Sequence, residues 1–213
     1  MAITNVKIAN MALTLVKQKP ITSLTSTGAA ATEIGVAYDI VVQEVLEDKE
    51  TWEFLRARAR LTRHADAPAY GGWLYMYKMP AQSLRIIETI DEDGDKINYP
   101  SSREVYVDGA NTIDVLLCNQ ETCIVRYLVN RTTESDWPAW FVKLVYHRLA
   151  VVISGPLTND DQRYNQLALW SKRAYDEAVQ CNCLESTEVN DYHSDIDNGS
   201  DLIEIQRGHY GPS

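Results

Sequence analysis

The sequence predicts an α+β fold. A four-helix bundle forms from N- and C-terminal helices, an antiparallel β-sheet domain is inserted between them, and a flexible acidic C-terminal tail follows. Three observations predict it. Apolar residues recur at helical spacing near both ends. In the middle the period drops to two and turn dipeptides appear. After Ser186 both periods vanish into polar, acidic sequence. A helix cannot hide its apolar stripe alone, so the two helical pairs are expected to pack together. The expected domains are residues 1–50 with 137–186 as the bundle, 51–136 as the inserted sheet, and 187–213 as an extended tail.

Residues 4–17 read as a helix capped by Thr4 or Asn5, with Ile8, Met11, Ala12 and Leu15 on one stripe. Pro20 ends it and Ile21–Leu24 forms a short extended link. A second helix spans about 28–48, because Ile34, Tyr38, Val41 and Val45 repeat at steps of four, three and four. Leu55, Ala57, Ala59 and Leu61 then alternate with Arg56, Arg58 and Arg60, which favours a strand with one basic face. Arg56, Arg60 and Arg63 would also share one side of a helix. Strands follow at Trp73–Met79 and Leu84–Ile90, separated by a turn at Pro80–Ser83. Asp93–Gly94 and Asp108–Gly109 are hairpin signals, the latter between strands 103–107 and 112–118. Cys123–Arg131 closes the set. Asp136 ahead of Trp137–Pro138 looks like an acidic cap before a first-turn proline. Phe141, Leu144, Val145, Leu149 and Val152 form the next stripe, stopped by Ser154–Gly155–Pro156. Thr158 with Asp161 resembles a capping box opening a last helix over 159–184, with Tyr164, Leu167, Ser171, Tyr175 and Ala178 on its stripe.

Composition narrows the function. With 213 residues, 45% of them hydrophobic and five of them Trp, the chain can bury a core without staples. No run approaches the roughly 20 apolar residues of a membrane span, and the N-terminus lacks the layout of a signal peptide. A soluble protein made in the cytoplasm and contacting no membrane is expected. The net charge is −10, from 30 acids and 20 bases. Residues 187–213 carry Glu188, Asp191, Asp195, Asp197, Asp201 and Glu204 against Arg207. Such a chain does not grip duplex DNA by neutralising phosphates, though it can surround DNA without sticking.

Reaction chemistry is not written in the motifs. Cys118 with Cys123 and Cys181 with Cys183 lack zinc-pair spacing, and reduced thiols are expected. A calcium loop starting at Asp91 would need Gly at Lys96 and Glu at Ser102, so Asp91–Asp95 reads as an acidic turn. His64, His147, His193 and His209 are scattered, and no nucleophile elbow, phosphate loop or zincin helix is present. No catalytic residue, metal or cofactor is expected. Trp73, Tyr75 and Tyr77 alternate as sheet core or as an interface. The arginine row suits a paired sheet face, a subunit contact or a DNA contact.

The order of these elements, with certain residues, resembles the bacteriophage head-to-tail adaptor family that includes tail tubular protein A. The matching pieces are Ala12–Leu13 with Leu15, Pro20 through Leu24, Trp52 with Phe54, Tyr77 with Pro80, and Leu84–Arg85–Ile86. Trp137–Pro138, Phe141–Val142, Arg148–Leu149–Ala150 and Gly155 through Thr158 complete them. The family often places Asp two residues after the strand-ending proline, where this chain has Gln82. The resemblance covers roughly residues 4–186. It implies a structural, non-enzymatic virion protein at the neck between capsid and tail. Copies would form a closed ring of about twelve, joining the portal protein to the tail nozzle or tube and leaving a channel for DNA. Arg56, Arg58 and Arg60 opposite Glu44, Glu47 and Asp48 offer complementary subunit faces, and Glu50 adds to the acidic set. In the tail, Leu202, Ile203, Ile205, Arg207 and Tyr210 offer a portal-docking segment. The alternatives are a small metal-binding or hydrolytic enzyme using the acidic hairpin and cysteines, or a tail assembly chaperone absent from finished particles.

Overall fold

The computed structural model describes residues 3–66, 71–158 and 160–197. They form two compact units. One runs from Val42 to Trp137, and the other joins Ile3–Val41 to the chain from Pro138 onward.

In the helical unit, α1 (Asn5–Leu15) is capped by Thr4, whose hydroxyl accepts from the Lys7 amide at 3.4 Å. Its buried stripe is Ile8, Ala9, Ala12 and Leu13, while Met11 is 42% exposed. The stripe is rotated from the expected one because Leu13 and Ala9 turn inward together. The C-terminus of α1 is held by Arg163, which donates through Nε and Nη2 to the Leu15 carbonyl. Past it, Asn10 clasps the Ile21 backbone through both its donor and its acceptor, at 3.0 and 2.8 Å.

α1 packs on α3 (Ala139–Thr158), and α3 packs on α4 (Asp161–Asp197). Among the described residues, α2 (Ala29–Leu46) packs on none of these helices as closely as they pack on one another. The four-helix bundle expected from the sequence is therefore not what forms, although the fold is α+β. Ile34, Tyr38, Val41 and Val45 are buried as their spacing requires. The last turn of α2 is committed to the sheet unit, where the Trp52 indole donates to the Val45 carbonyl at 2.8 Å. Periodicity specifies that a face is buried, not what buries it.

The helix ends differ from expectation in instructive ways. The Pro138 carbonyl accepts the first α3 amides, from Phe141 and Val142 at 3.0 and 3.1 Å, and Asp136 belongs to a preceding 3-10 turn. Pro156 lies inside α3 rather than after it. In that turn the Ser154 and Thr158 hydroxyls each donate at 2.7 Å, to the Val151 and Ser154 carbonyls. A proline so near a helix end removes one backbone bond and little more. Asp160, not Thr158, caps α4 by accepting from the Arg163 amide at 2.9 Å. Leu167, Ser171, Ala174, Ala178 and Asn182 form the buried stripe of α4, and Tyr164 is exposed. Its small residues allow close approach to α3, and Lys143 with Glu177 (2.5 Å) and Trp140 with Glu185 (3.0 Å) lace the seam. α4 continues to Asp197, past the end near 184 that its stripe predicts, so the tail expected to be extended from 187 begins as helix.

In the other unit one sheet has the order β1-β8-β4-β5: β1 Arg56–Arg60, β4 Ser83–Ile90, β5 Lys96–Ile97 and β8 Ile124–Val129. The second has the order β2-β3-β7-β6: β2 Thr62–Arg63, β3 Tyr75–Lys78, β6 Ser101–Asp108 and β7 Asn111–Cys118. All described pairings are antiparallel. A core of Leu61, Tyr77, Met79, Leu116, Cys118, Cys123 and Val125 draws on both sheets. Asp91 shapes the β4–β5 turn, its Oδ1 accepting from the Gly94 and Asp95 amides at 2.8 Å each. Gly94 sits at φ 97°, a conformation that glycine adopts freely. Around Gln82 backbone bonds order the turn, and Arg103 adds donors to the Ser83 and Leu84 carbonyls at 3.3 and 2.9 Å. The Ser83 amide donates to the Pro80 carbonyl at 3.0 Å, and the Asn130 amide to the Gln82 carbonyl at 2.7 Å.

Candidate interaction surface

The arginine row is a strand face, and its helical alternative is not adopted. Arg56, Arg58 and Arg60 are exposed while Ala57 and Ala59 between them are half-buried. In register they stand opposite Leu128, Arg126 and Ile124 of β8. Each end of the row has its own acid: Arg56 bridges Glu53 at 2.9 Å, and Arg60 bridges Glu92. The Arg60–Glu92 pair is exposed and of a kind that contributes about 0–1 kcal/mol, whereas Glu53 is only 18% exposed.

The centre differs. Arg58 faces Arg126 directly, and like charges in register repel. Arg126 is neutralised by Glu88 at 2.5 Å and also donates to the Gly94 carbonyl at 3.0 Å. The Arg58 guanidinium lies over Gly94, where an added Cβ would meet its Nη2 at 3.2 Å. The acidic hairpin turn thus supplies a countercharge to one arginine of this face, Glu92 to Arg60. Its lead carboxylate, Asp91, is engaged by backbone amides.

Glu44 and Glu47 are exposed near the end of α2, and Glu47 accepts from Gln43 at 2.5 Å. Asp48 accepts from the Glu50 amide at 3.2 Å. The described ion pairs of Arg56 and Arg60 are made with Glu53 and Glu92 rather than with Glu44, Glu47 or Asp48. Leu202, Ile203, Ile205, Arg207 and Tyr210 lie outside the described residues, as do His209 and the rest of 198–213.

Tyr77 is sheet core, and burial pushes its phenol up to about 12. Its hydroxyl donates to the Gln120 and Glu121 carbonyls at 2.7 and 2.5 Å. Tyr75 carries the Arg63 guanidinium 4.4 Å from its ring centre. Exposed apolar residues of this unit include Leu74 and, on β6, an outer strand, Val105 at 62% and Val107 at 64%. Strand edges offer unpaired backbone groups to another chain.

Two polar arrangements had no signal in the sequence. Arg85 Nη2 donates to the Lys49 and Glu50 carbonyls and to Thr51 Oγ1, at 3.1, 2.8 and 3.0 Å, pinning the segment after α2 onto β4. His64 is buried, its Nδ1 accepting from the Asp66 amide at 3.2 Å, while Tyr106 donates to Asp66 at 3.2 Å and packs edge-on against the imidazole. Their partners are distant in sequence or are backbone groups, so spacing does not reveal them. Among the described residues, no cluster of three or more His, Cys, Asp or Glu is placed to hold a metal ion, and no helix is long and apolar enough to cross a membrane. No protein-family model matches the chain, and neither does any curated protein.

Proposed function

We propose that the protein is a structural head-to-tail adaptor of a bacteriophage virion. It acts through its surfaces, as copies of itself arranged in a ring between portal and tail with a channel for DNA. Support comes first from the ordered sequence resemblance described above. Several residues that carry it hold the junctions between elements: Trp52 on Val45, Arg85 on residues 49–51, and Trp137, whose indole donates to the Arg131 carbonyl at 2.7 Å.

The observation that carries the interaction role is the outer strand β6 with its exposed valines, beside a sheet whose own outer strand presents three arginines. A ring uses two different faces of one subunit, and edges of unlike chemistry suit such a heterologous contact. The rim charges set register more than affinity. The portal and the tail nozzle or tube are the expected neighbours, and the C-terminal segment is the expected portal tether. Co-purification with portal rings tests this. Full-length protein is expected to bind, and absence of binding to portal in any assembly state would refute the role.

A further inference from the structure

Two strand edges of the sheet unit carry open backbone groups, and the bonds beside them say which residues point outward. On β7 the Asp114 carbonyl accepts from the Met79 amide at 2.9 Å, so it points toward β3 and away from β6. Asp114 stands opposite Val105. Hydrogen-bonded and open pairs alternate along an antiparallel ladder, so Arg103, Val105 and Val107 aim their amides and carbonyls at the outer edge of β6. On β1 the Leu61 amide donates to the Cys123 carbonyl at 2.8 Å, one residue beyond the Arg60–Ile124 pair. The same alternation aims the backbone of Arg56, Arg58 and Arg60 outward. Among the described residues, no strand pairs with either outer edge.

The side chains of each edge sort by face. Ala59 packs on the core shared by the two sheets, and Ala57 lies on its side of β1, with the arginines on the other. On β6, Arg103 stands opposite the core residue Leu116, so Val105 and Val107 share the core side while Glu104 and Tyr106 take the other.

We propose that β1 of one copy adds in parallel to the outer edge of β6 of the next copy, a contact that rests on the ring arrangement proposed above. The direction follows from the two alternations. Antiparallel addition sets outward-pointing residues opposite each other, which would put the arginines on the valine face. Parallel addition offsets the strands by one residue, so that core sides meet and outer sides meet. The register that covers both valines sets Ala57 opposite Val105 and Ala59 opposite Val107. It also sets Arg56 opposite Glu104, an exposed acid that accepts from the Ser102 hydroxyl at 3.1 Å. Arg58, which faces Arg126 across its own ladder, then stands beside the Tyr106 ring. Every copy carries one edge of each kind, so the contact is heterologous and repeats until a ring closes.

Crosslinking tests the pairing, because neighbouring strands lie about 4.8 Å apart and suit a disulfide. Each full-length variant carries Cys181→Ser and Cys183→Ser, which remove the more accessible thiols, and one of Ala57→Cys, Ala59→Cys, Val105→Cys or Val107→Cys. Circular dichroism checks that each folds. Variants are mixed in pairs, oxidised both as concentrated protein and with portal rings, and mapped by peptide mass spectrometry. The expected products link 57 to 105 and 59 to 107, and either pair reports if a variant of the other misfolds. Adding Glu104→Arg sets a like charge against Arg56 and is expected to cut the 59–107 yield about tenfold. A 105–105 link would mean that β6 meets β6, and a 59–105 link would mean a slipped register. Either of these, an undiminished yield with Glu104→Arg, or no link in either setting would overturn the proposal. Portal binding is scored separately. Links without portal binding keep the strand pairing and refute the adaptor role, and portal binding without links does the reverse.

Discussion

Trp52 and Arg163 show how single side chains close the joints of this protein. Trp52 is fully buried, and its indole N–H satisfies the Val45 carbonyl at the end of α2. Trp52→Phe keeps most of the ring and orphans that carbonyl, so urea unfolding is expected to show a loss of about 1–3 kcal/mol. Arg163→Ala strips the Leu15 carbonyl of its donor and removes the Gln166 contact at 2.8 Å. A loss of about 2 kcal/mol is expected from the same measurement, since bonds to charged donors are the stronger kind. His147 gives a pH signature. Burial first, then Lys143, lowers its pKa below 6.5 against the opposing pull of Glu177, and its Nδ1 is buried with no hydrogen-bond partner among the described residues. The unfolded chain thus takes up this proton more readily than the folded one, so stability is full above 6.5 and erodes as pH falls below it. His147→Leu is expected to flatten that part of the stability–pH curve. An unchanged slope would show that other groups cause it. Trp52 was legible in the sequence as a matched residue, but its partner was not, because a backbone carbonyl leaves no trace in spacing.

The element that best repaid its pattern is β1. Alternation of Arg and Ala foretold a strand with one basic face, and that face is present. Which acids pair with it was not readable, because Glu92 reaches Arg60 from a hairpin turn 32 residues away. Charge reversal at Arg56, Arg58 and Arg60 breaks the pairs with Glu53 and Glu92 and sets new carboxylates beside those acids, and is expected to cost about 2 kcal/mol. Under the adaptor proposal the same triple variant folds, shown by an unchanged circular dichroism spectrum, yet assembles poorly. Normal yields of infectious particles would remove the row from the interface. Helix ends were less legible than strands. Pro156 and Thr158 both carry boundary signals, yet α3 runs through them, since a proline this close to a helix end removes one backbone bond and little more. The rotated stripe of α1 has a similar cause. Small alanines satisfy several phases of a helical pattern, and only packing chooses among them.

For the whole molecule, class was readable and assembly of the helices was not. Helix, sheet and helix follow the expected order, yet α2 does not join the other three as a bundle. Two apolar stripes of equal quality can be buried against different neighbours, and the sequence does not say which. The proposed adaptor role would add a further level, since it calls for partners that are other copies and other proteins. Removing residues 198–213 is expected to preserve the circular dichroism spectrum and thermal midpoint while weakening attachment to portal rings. Equal binding by the shortened protein would refute the tether. The most direct measurement is a cryo-electron map of the neck of particles from a phage that encodes this chain. The adaptor account predicts a closed ring of copies seated on the portal, with β1 and β6 faces meeting at subunit borders and DNA passing through the centre. A neck built wholly from other chains, with this one missing from mature particles, would contradict it.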